Sequence, residues 1–226
     1  MGNSDGIGLA LSELLLAEGW RVVGVSRSPS RLEHPSYEHH VCDVVAAKYA
    51  ARLATVLAPL AALDVCVYCA GIGEFLDIHT LATDRRVFEV NLIGAVTTAM
   101  VVIPAMVRAG HGHFIGLSSQ ADSLTDPHAP SYSASKAALT RYLEGLAPAC
   151  RPRGIHVTNI RFGFVDTKMA KSPIKPFMVT AERAAHRIRR CIDKRPLRDT
   201  FPKRMALLLW CYRLGQRARR WLGLSH

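Results

Sequence analysis

The sequence predicts an α/β fold, a doubly wound and mostly parallel sheet with helices on both faces. Three observations lead there. Short β-branched runs alternate with helical patterns along the whole chain. A glycine-rich turn, Gly2-Asn3-Ser4-Asp5-Gly6-Ile7-Gly8, runs directly into the helical spacing Leu9, Leu11, Leu14 and Leu15. No repeat, low-complexity tract or linker divides the 226 residues, so one domain with a substantial core is expected.

The elements follow in order. A helix over 7–18 stops at Gly19, and Val22, Val23 and Val25 mark a strand over 21–26. A short strand is expected over 38–42, a helix over 46–63 and a strand over 64–69. A long helix over 83–109 ends at Gly110. Its stretch 90–107 is free of charge and long enough to suggest a membrane span, but Asn91, Thr97, Thr98 and Pro104 favour a buried helix. Then come a strand over 113–118, a helix over 131–149 that Pro148 should end, and a strand over 155–161. Helices over 181–194 and 205–222 close the chain.

Two patterns carry chemistry. Glycines at 2, 6 and 8 let backbone approach a pyrophosphate, which the amides and positive end of the next helix can hold. Tyr132 and Lys136 stand four apart, one turn from each other on a helix face. A nearby ammonium favours the phenolate, so the lysine is expected to lower the tyrosine pKa and make it a usable proton donor and acceptor. Ser119, thirteen residues before Tyr132, can bind the substrate oxygen from another element. Without further support an exposed Tyr/Lys pair would be the simpler reading.

That support is present. Cys42-Asp43-Val44, Tyr68-Cys69-Ala70-Gly71, Asn91, Ser118-Ser119 and Arg161-Phe162-Gly163-Phe164-Val165-Asp166-Thr167 occur in order around Tyr132 and Lys136. With them the chain resembles the short-chain dehydrogenase/reductase family over nearly its whole length. The resemblance implies a Rossmann-type fold and an NAD(P)-dependent oxidoreductase interconverting a carbonyl and an alcohol. It implies that Gly2, Ser4, Gly6, Ile7 and Gly8 surround the pyrophosphate. Asp43 would accept from the adenine amino group, with Val44 packed beside the ring and Ala70 and Gly71 beside the ribose. Asn91 would hold a water linking the lysine to solvent. Ser119 would stabilise charge on the substrate oxygen, Tyr132 would exchange its proton, and Lys136 would also hold the nicotinamide ribose. Gly163, Val165 and Thr167 would clamp the nicotinamide amide. Two departures stand out. Tyr68 and Cys69 replace a pair of asparagines, and Phe162 replaces a proline, from which a looser turn is expected.

Cofactor choice is read at Arg27. The strand before it ends in Ser26 rather than an acidic residue, and a guanidinium suits a 2′-phosphate, with Arg31 assisting. NADP(H) is therefore preferred and NAD(H) second. No metal site is expected: Cys66-Val67-Tyr68-Cys69 reads as strand, and His39-His40 and His111/His113 as strand-edge and loop residues. The six cysteines show no disulfide framework, and a cytoplasmic location follows as the default. The apolar residues Met169, Ile174, Phe177 and Met178 lie where the family has its substrate lid; the substrate is a small molecule of unread identity.

The N-terminus is anomalous. In a doubly wound fold a central strand precedes the glycine turn, yet Met1 adjoins Gly2. The expectation is a sequence that starts late, with the missing strand belonging between those at 21–26 and 64–69. The C-terminus is basic: residues 181–226 hold 13 Lys+Arg against 3 Asp+Glu, and residues 1–180 hold 16 against 15. Residues 1–204 thus read as the catalytic domain and 205–226 as a basic amphipathic extension. In that extension Leu207, Trp210, Cys211, Leu214, Ala218, Trp221 and Leu222 form one stripe, with Arg213, Gln216, Arg217, Arg219 and Arg220 largely opposite. Such a helix suits an anionic membrane at the inner surface or docks on its own domain; nucleic acid fits less well. A homodimer or homotetramer is expected by resemblance. The rival reading is a non-catalytic dinucleotide-binding or membrane-associated protein that acts through this helix.

Overall fold

The computed structural model describes residues 1–221. Its strands are β1 (Val22–Ser26), β2 (Tyr37–Val41), β3 (Val65–Tyr68), β4 (Gly112–Ser119), β5 (Ile155–Phe162) and β6 (Arg198–Phe201). Its helices are α1 (Gly6–Ala17), α2 (Tyr49–Leu57), α3 (Ala82–Phe88), α4 (Gly94–Ala109), α5 (Pro130–Cys150), α6 (Ala181–Lys194) and α7 (Lys203–Trp221). All strand pairings are parallel, in the orders β1-β2 and β3-β4-β5-β6. β4 is buried at all eight positions, as befits a central parallel strand covered on both faces. One core packs α2, α4 and α5 on β1, β3 and β4; the other packs α1 and α6 on β4 and β5. The expected doubly wound α/β fold is observed.

The sheet is split between β1 and β3, the strands expected to flank the missing one. Met1 and Gly2 lie between them: the Met1 ammonium donates to Val67 O at 2.7 Å, Cys69 N to Met1 O at 2.9 Å, and Gly2 N to Val25 O at 2.8 Å. Beside Met1 a cavity of about 60 Å³ is lined by Val23, Val25, Leu53, Val65 and Val67 among others.

Several boundaries differ from expectation for identifiable reasons. The helix expected over 46–63 is confined to Tyr49–Leu57. Ala58 still has helical backbone and donates to Ala54 O, but Pro59 after it has no amide to continue the ladder, and Asp43 ties down a turn ahead of the helix through its carboxylate and the Val45 amide, 3.2 Å. Pro148 does not end α5, which runs to Cys150; in a last turn proline forfeits only one amide. The long helix 83–109 carries a π turn at Glu89–Ile93 between α3 and α4. By length and composition Ala82–Ala109 is apolar enough to cross a membrane. Here it packs on β3, β4 and α2 and buries Asn91 and Thr98 completely. β6 escaped notice because four residues containing Arg198 and Asp199 give no apolar signal.

Helix α7 docks by Met205 and Leu209, which are buried, while Leu207, Leu208, Trp210 and Leu214 are exposed. The predicted stripe thus faces away from the domain as far as its side chains are described. Leu222, and the side chains of Arg213 and of residues 216–221, fall outside the described set.

Candidate active site

The site lies at the carboxyl ends of β3, β4 and β5, where a parallel sheet leaves its crevice. The glycine turn is shaped by the lack of side chains. Gly2 has φ +76°, and a Cβ there would sit 2.7 Å from the Ala70 backbone. A Cβ on Gly8 would overlap the Gly2 carbonyl. Asp5 caps α1 by accepting from Gly6 N at 2.8 Å, and it pairs with Lys168 at 2.5 Å. Lys168, and then the Gly6 amide, hold the Asp5 carboxyl below its usual range. A Cβ on Gly6 would meet Thr167 Cγ2 at 3.1 Å, so the Gly163–Thr167 segment closes over the turn. The glycines thus pack the turn tightly on Ala70, on itself and on Thr167, and the amide end of α1 that it presents fits the phosphates of a dinucleotide.

Sequence reading missed what anchors this turn. The buried Asn3 donates to Tyr37 Oη at 2.9 Å and to Ser12 Oγ at 3.2 Å; Tyr37 Oη meets His39 Nδ1 at 2.7 Å, and His39 Nε2 meets Ser26 Oγ at 3.1 Å. Only the asparagine within the glycine turn hinted at it. Arg27, directly after β1, is exposed and makes no hydrogen bond or ion pair among the described residues. Arg31 lies close enough to help lower the Asp5 carboxyl. Asp43 receives Arg86 Nη2 at 2.6 Å, an ion pair unread in the sequence, and Val44 is core, against Gly94.

The Tyr68 replacement compensates for the lost asparagine. Its ring is fully buried and its hydroxyl donates to Val90 O at 2.6 Å, inside the π turn, in space that a side chain at Gly94 would fill. π turns recur at functional sites, and this one presents Asn91. The Asn91 amide accepts from Ile72 N at 2.8 Å and donates to Ile72 O at 2.9 Å and Ser135 Oγ at 3.0 Å. It thereby pins the Ala70–Gly71 turn to α5. Phe162 does not loosen the next turn, contrary to expectation. It is buried, ends β5 in register with Phe201, and is followed by a Gly163 N bond to Phe201 O at 2.9 Å. Asp166 N to Val179 O at 2.8 Å, beside a Val165–Val179 bridge, holds the rest of that segment.

Ser119, Tyr132 and Lys136 converge. Ser119 ends β4, accepts from Ala121 N at 3.2 Å and donates to Phe162 O at 3.3 Å. Its hydroxyl also faces the Tyr132 phenol closely enough to favour the phenolate. Lys136 is buried, donates to Leu117 O at 2.9 Å, and holds its ammonium 5.8 Å from the Tyr132 ring centroid. A Cβ at Gly71 would stand at ordinary contact distance, 3.4 Å, from both Asn91 Oδ1 and Lys136 Nζ, so this turn lies directly against the lysine.

Burial pushes the Tyr132 phenol up, with Ser119 opposing and Asp122 adding to the rise. Burial also pushes Lys136 down to about 8. The phenol is therefore a protonated donor at neutral pH. A cavity of about 600 Å³ at the other end of the sheet, lined by Trp20, Asp64, His111 and Arg195 among others, contains none of these residues. Among the described residues no cluster of His, Cys, Asp or Glu suits a metal.

Comparison with known proteins bears on this arrangement. A family model described as short chain dehydrogenase matches residues 1–175. The chain belongs to the short-chain dehydrogenase family. Its members in general bind NAD(P)(H) and act on small molecules as oxidoreductases. A short-chain reductase protein, NovJ, of Streptomyces niveus is 33% identical over 180 residues, covering 74% of this chain and 68% of that protein. An uncharacterized oxidoreductase of Myxococcus xanthus is 28% identical over 221 residues, 91% of this chain and 87% of the relative. The zebrafish (Danio rerio) dehydrogenase/reductase SDR family member 7B is 28% identical, and the match spans only 60% of its length. In structure, a short-chain dehydrogenase from Streptomyces avermitilis superposes with a TM-score of 0.82 at 26% identity, over 99% of this chain and 95% of that one.

Proposed function

We propose that this short-chain dehydrogenase is an NADP(H)-preferring oxidoreductase interconverting a carbonyl and an alcohol. The observation that carries the reading is the convergence of Ser119, Tyr132 and Lys136 at the carboxyl ends of the strands, with a glycine turn at the start of α1 packed on Ala70 and Thr167. Gly2, Ser4, Gly6, Ile7 and Gly8 would hold the pyrophosphate and Arg27 a 2′-phosphate, with Asp43, Ala70 and Gly71 along the adenosine side and Gly163, Val165 and Thr167 at the nicotinamide end. The hydride belongs to the chemistry of the bound nicotinamide. Ser119 orients the substrate oxygen and stabilises its developing charge. Tyr132, protonated, gives its proton to that oxygen in reduction and recovers it in the reverse direction. Lys136 supports the phenolate left behind and binds ribose hydroxyls, and Asn91 fixes the loop and helix that frame the lysine.

The test is Tyr132→Phe in a screen of carbonyl compounds with both reduced cofactors. Turnover should fall by about 100-fold or more, the usual weight of a positioned acid. Cofactor affinity, read by nicotinamide fluorescence, should stay within about twofold because the ring is kept. Wild-type turnover in the variant would overturn the assignment.

A cytoplasmic homodimer or homotetramer accords with exposed Ile93 and Met100 on the long helix. Peripheral contact with an anionic membrane is favoured by α7. Its stripe of Leu207, Trp210 and Leu214 points outward, and residues 203–226 carry lysine and arginine but no acidic residue.

A further inference from the structure

Asp122 stands three residues beyond Ser119, in the 3₁₀ turn Gln120–Ser123 that Ser119 caps. Its side chain is 4% exposed, a costly place for a carboxylate without partners. It has three hydrogen bonds from two elements. Thr140 Oγ1 donates to Oδ2 at 2.7 Å, Arg161 Nε donates to Oδ2 at 2.6 Å, and Arg161 Nη2 donates to Oδ1. Thr140 lies one turn beyond Lys136 and two beyond Tyr132, on the same face of α5. Arg161 is the penultimate residue of β5, and its partner across the ladder is Ser118. The carboxylate therefore touches the helix bearing two members of the site and the strand beside the third.

We propose, resting on the catalytic reading above, that the buried Asp122–Arg161 pair is a positioning device. It locks the turn carrying Ser119 onto the helix carrying Tyr132 and Lys136, and it keeps the charge beneath the phenol balanced. A neutral pair could lock the turn equally well, so the balance is the distinguishing claim. The other charged groups facing this region are Lys136 on α5, held by Leu117 O, and Glu144 on α5, which is bound by Arg198 from β6 and by Asn159 from β5. Asp84 of α3 accepts from Ser131 at the start of α5, at 2.9 Å. Asp122 raises the proton affinity of Tyr132. Arg161, forked onto the same carboxylate, carries the opposite charge. Removing one partner exposes the other, so the two single substitutions must act on the phenol in opposite directions.

The experiment follows phenolate absorbance in purified full-length protein, with Tyr132→Phe subtracted from each variant to isolate Tyr132. Circular dichroism fixes the pH range in which each protein stays folded. Asp122→Asn removes the carboxylate and leaves a guanidinium, so Tyr132 should titrate lower by about one pH unit or more. Asp122→Asn/Arg161→Gln restores neutrality and should return the titration to within a few tenths of a unit of wild type. Arg161→Lys keeps the charge without the fork and should leave the titration in place; it also covers the case in which Asp122→Asn fails to fold, since a large upward displacement in Arg161→Lys would overturn the balance. Loss of stability without any displacement in Asp122→Asn would show a merely structural pair and overturn the proposal. No substrate enters this measurement. A chain that titrates as described but reduces no carbonyl would refute the catalytic reading and leave the coupling standing.

Discussion

Replacing Lys136 by methionine should stabilise the protein at neutral pH while removing turnover. The ammonium is buried, and burial alone lowers its pKa from 10.5 to about 8. Below about pH 8 both folded and unfolded chains carry this charge, and the full cost of burying it is present. Between about 8 and 10.5 the folded chain releases the proton first, so the unfolded state binds more protons and stability rises with pH. The shift corresponds to about 3 kcal/mol of destabilisation at pH 7. Methionine is similar in length and keeps the packing, but it leaves Leu117 O without its donor, a loss of about 1–2 kcal/mol. The expected net gain is about 1–2 kcal/mol at pH 7. Urea unfolding of both proteins at pH 7 and pH 9.5 isolates the charge, because titrations common to both cancel in the difference. The advantage of the variant should shrink by about 2 kcal/mol over that interval. A variant less stable than wild type by a constant amount at both pH values would refute the reasoning.

Arg27→Asp should move cofactor preference from NADP(H) towards NAD(H), by loss of a phosphate partner and gain of like charge; equal kcat/KM with the two cofactors in the unmutated protein would remove the basis for this. For the C-terminal helix, the full-length protein should sediment with vesicles containing anionic lipid and be partly released by salt, since each basic residue near such a surface contributes about 1 kcal/mol. Trp210→Glu should weaken that binding, and undiminished sedimentation after deletion from Met205 would exclude the helix as the anchor.

The sequence disclosed most where chemistry restricts residue choice. A glycine turn, a Tyr/Lys pair at helical spacing and a serine at a strand end each have few alternatives; in the structure the serine faces the Tyr/Lys pair, and the glycine turn packs on Ala70 and Thr167. β3 was visible as a continuous apolar run, and β4 and β5 by the apolar cores Phe114-Ile115 and Ile155, Val157 and Ile160. β6 was invisible because its register with β5 is chosen by the neighbour rather than by its own residues. Tyr68 illustrates the same limit: its meaning depends on Gly94 and Val90, more than twenty residues away and joined to it only by packing. The rise in the Tyr132 pKa was not legible for a related reason: spacing predicts that the lysine is near, but burial, the largest influence on the phenol, is a property of the assembled core.

The π turn at Glu89–Ile93 has a consequence for how the long helix bears a change of length. A π turn carries one residue more than the α-helical turn it replaces, so the helix on either side keeps its own regular ladder. Removing a single residue there would let α3 and α4 run as one continuous α-helix, and the residues before the deletion would rotate by about 100° relative to those after it. Val90 O and Asn91 would then leave Tyr68 Oη and the Ile72 backbone, and buried polar groups on both sides would lose their partners together. The length of this segment is therefore held as tightly as its composition.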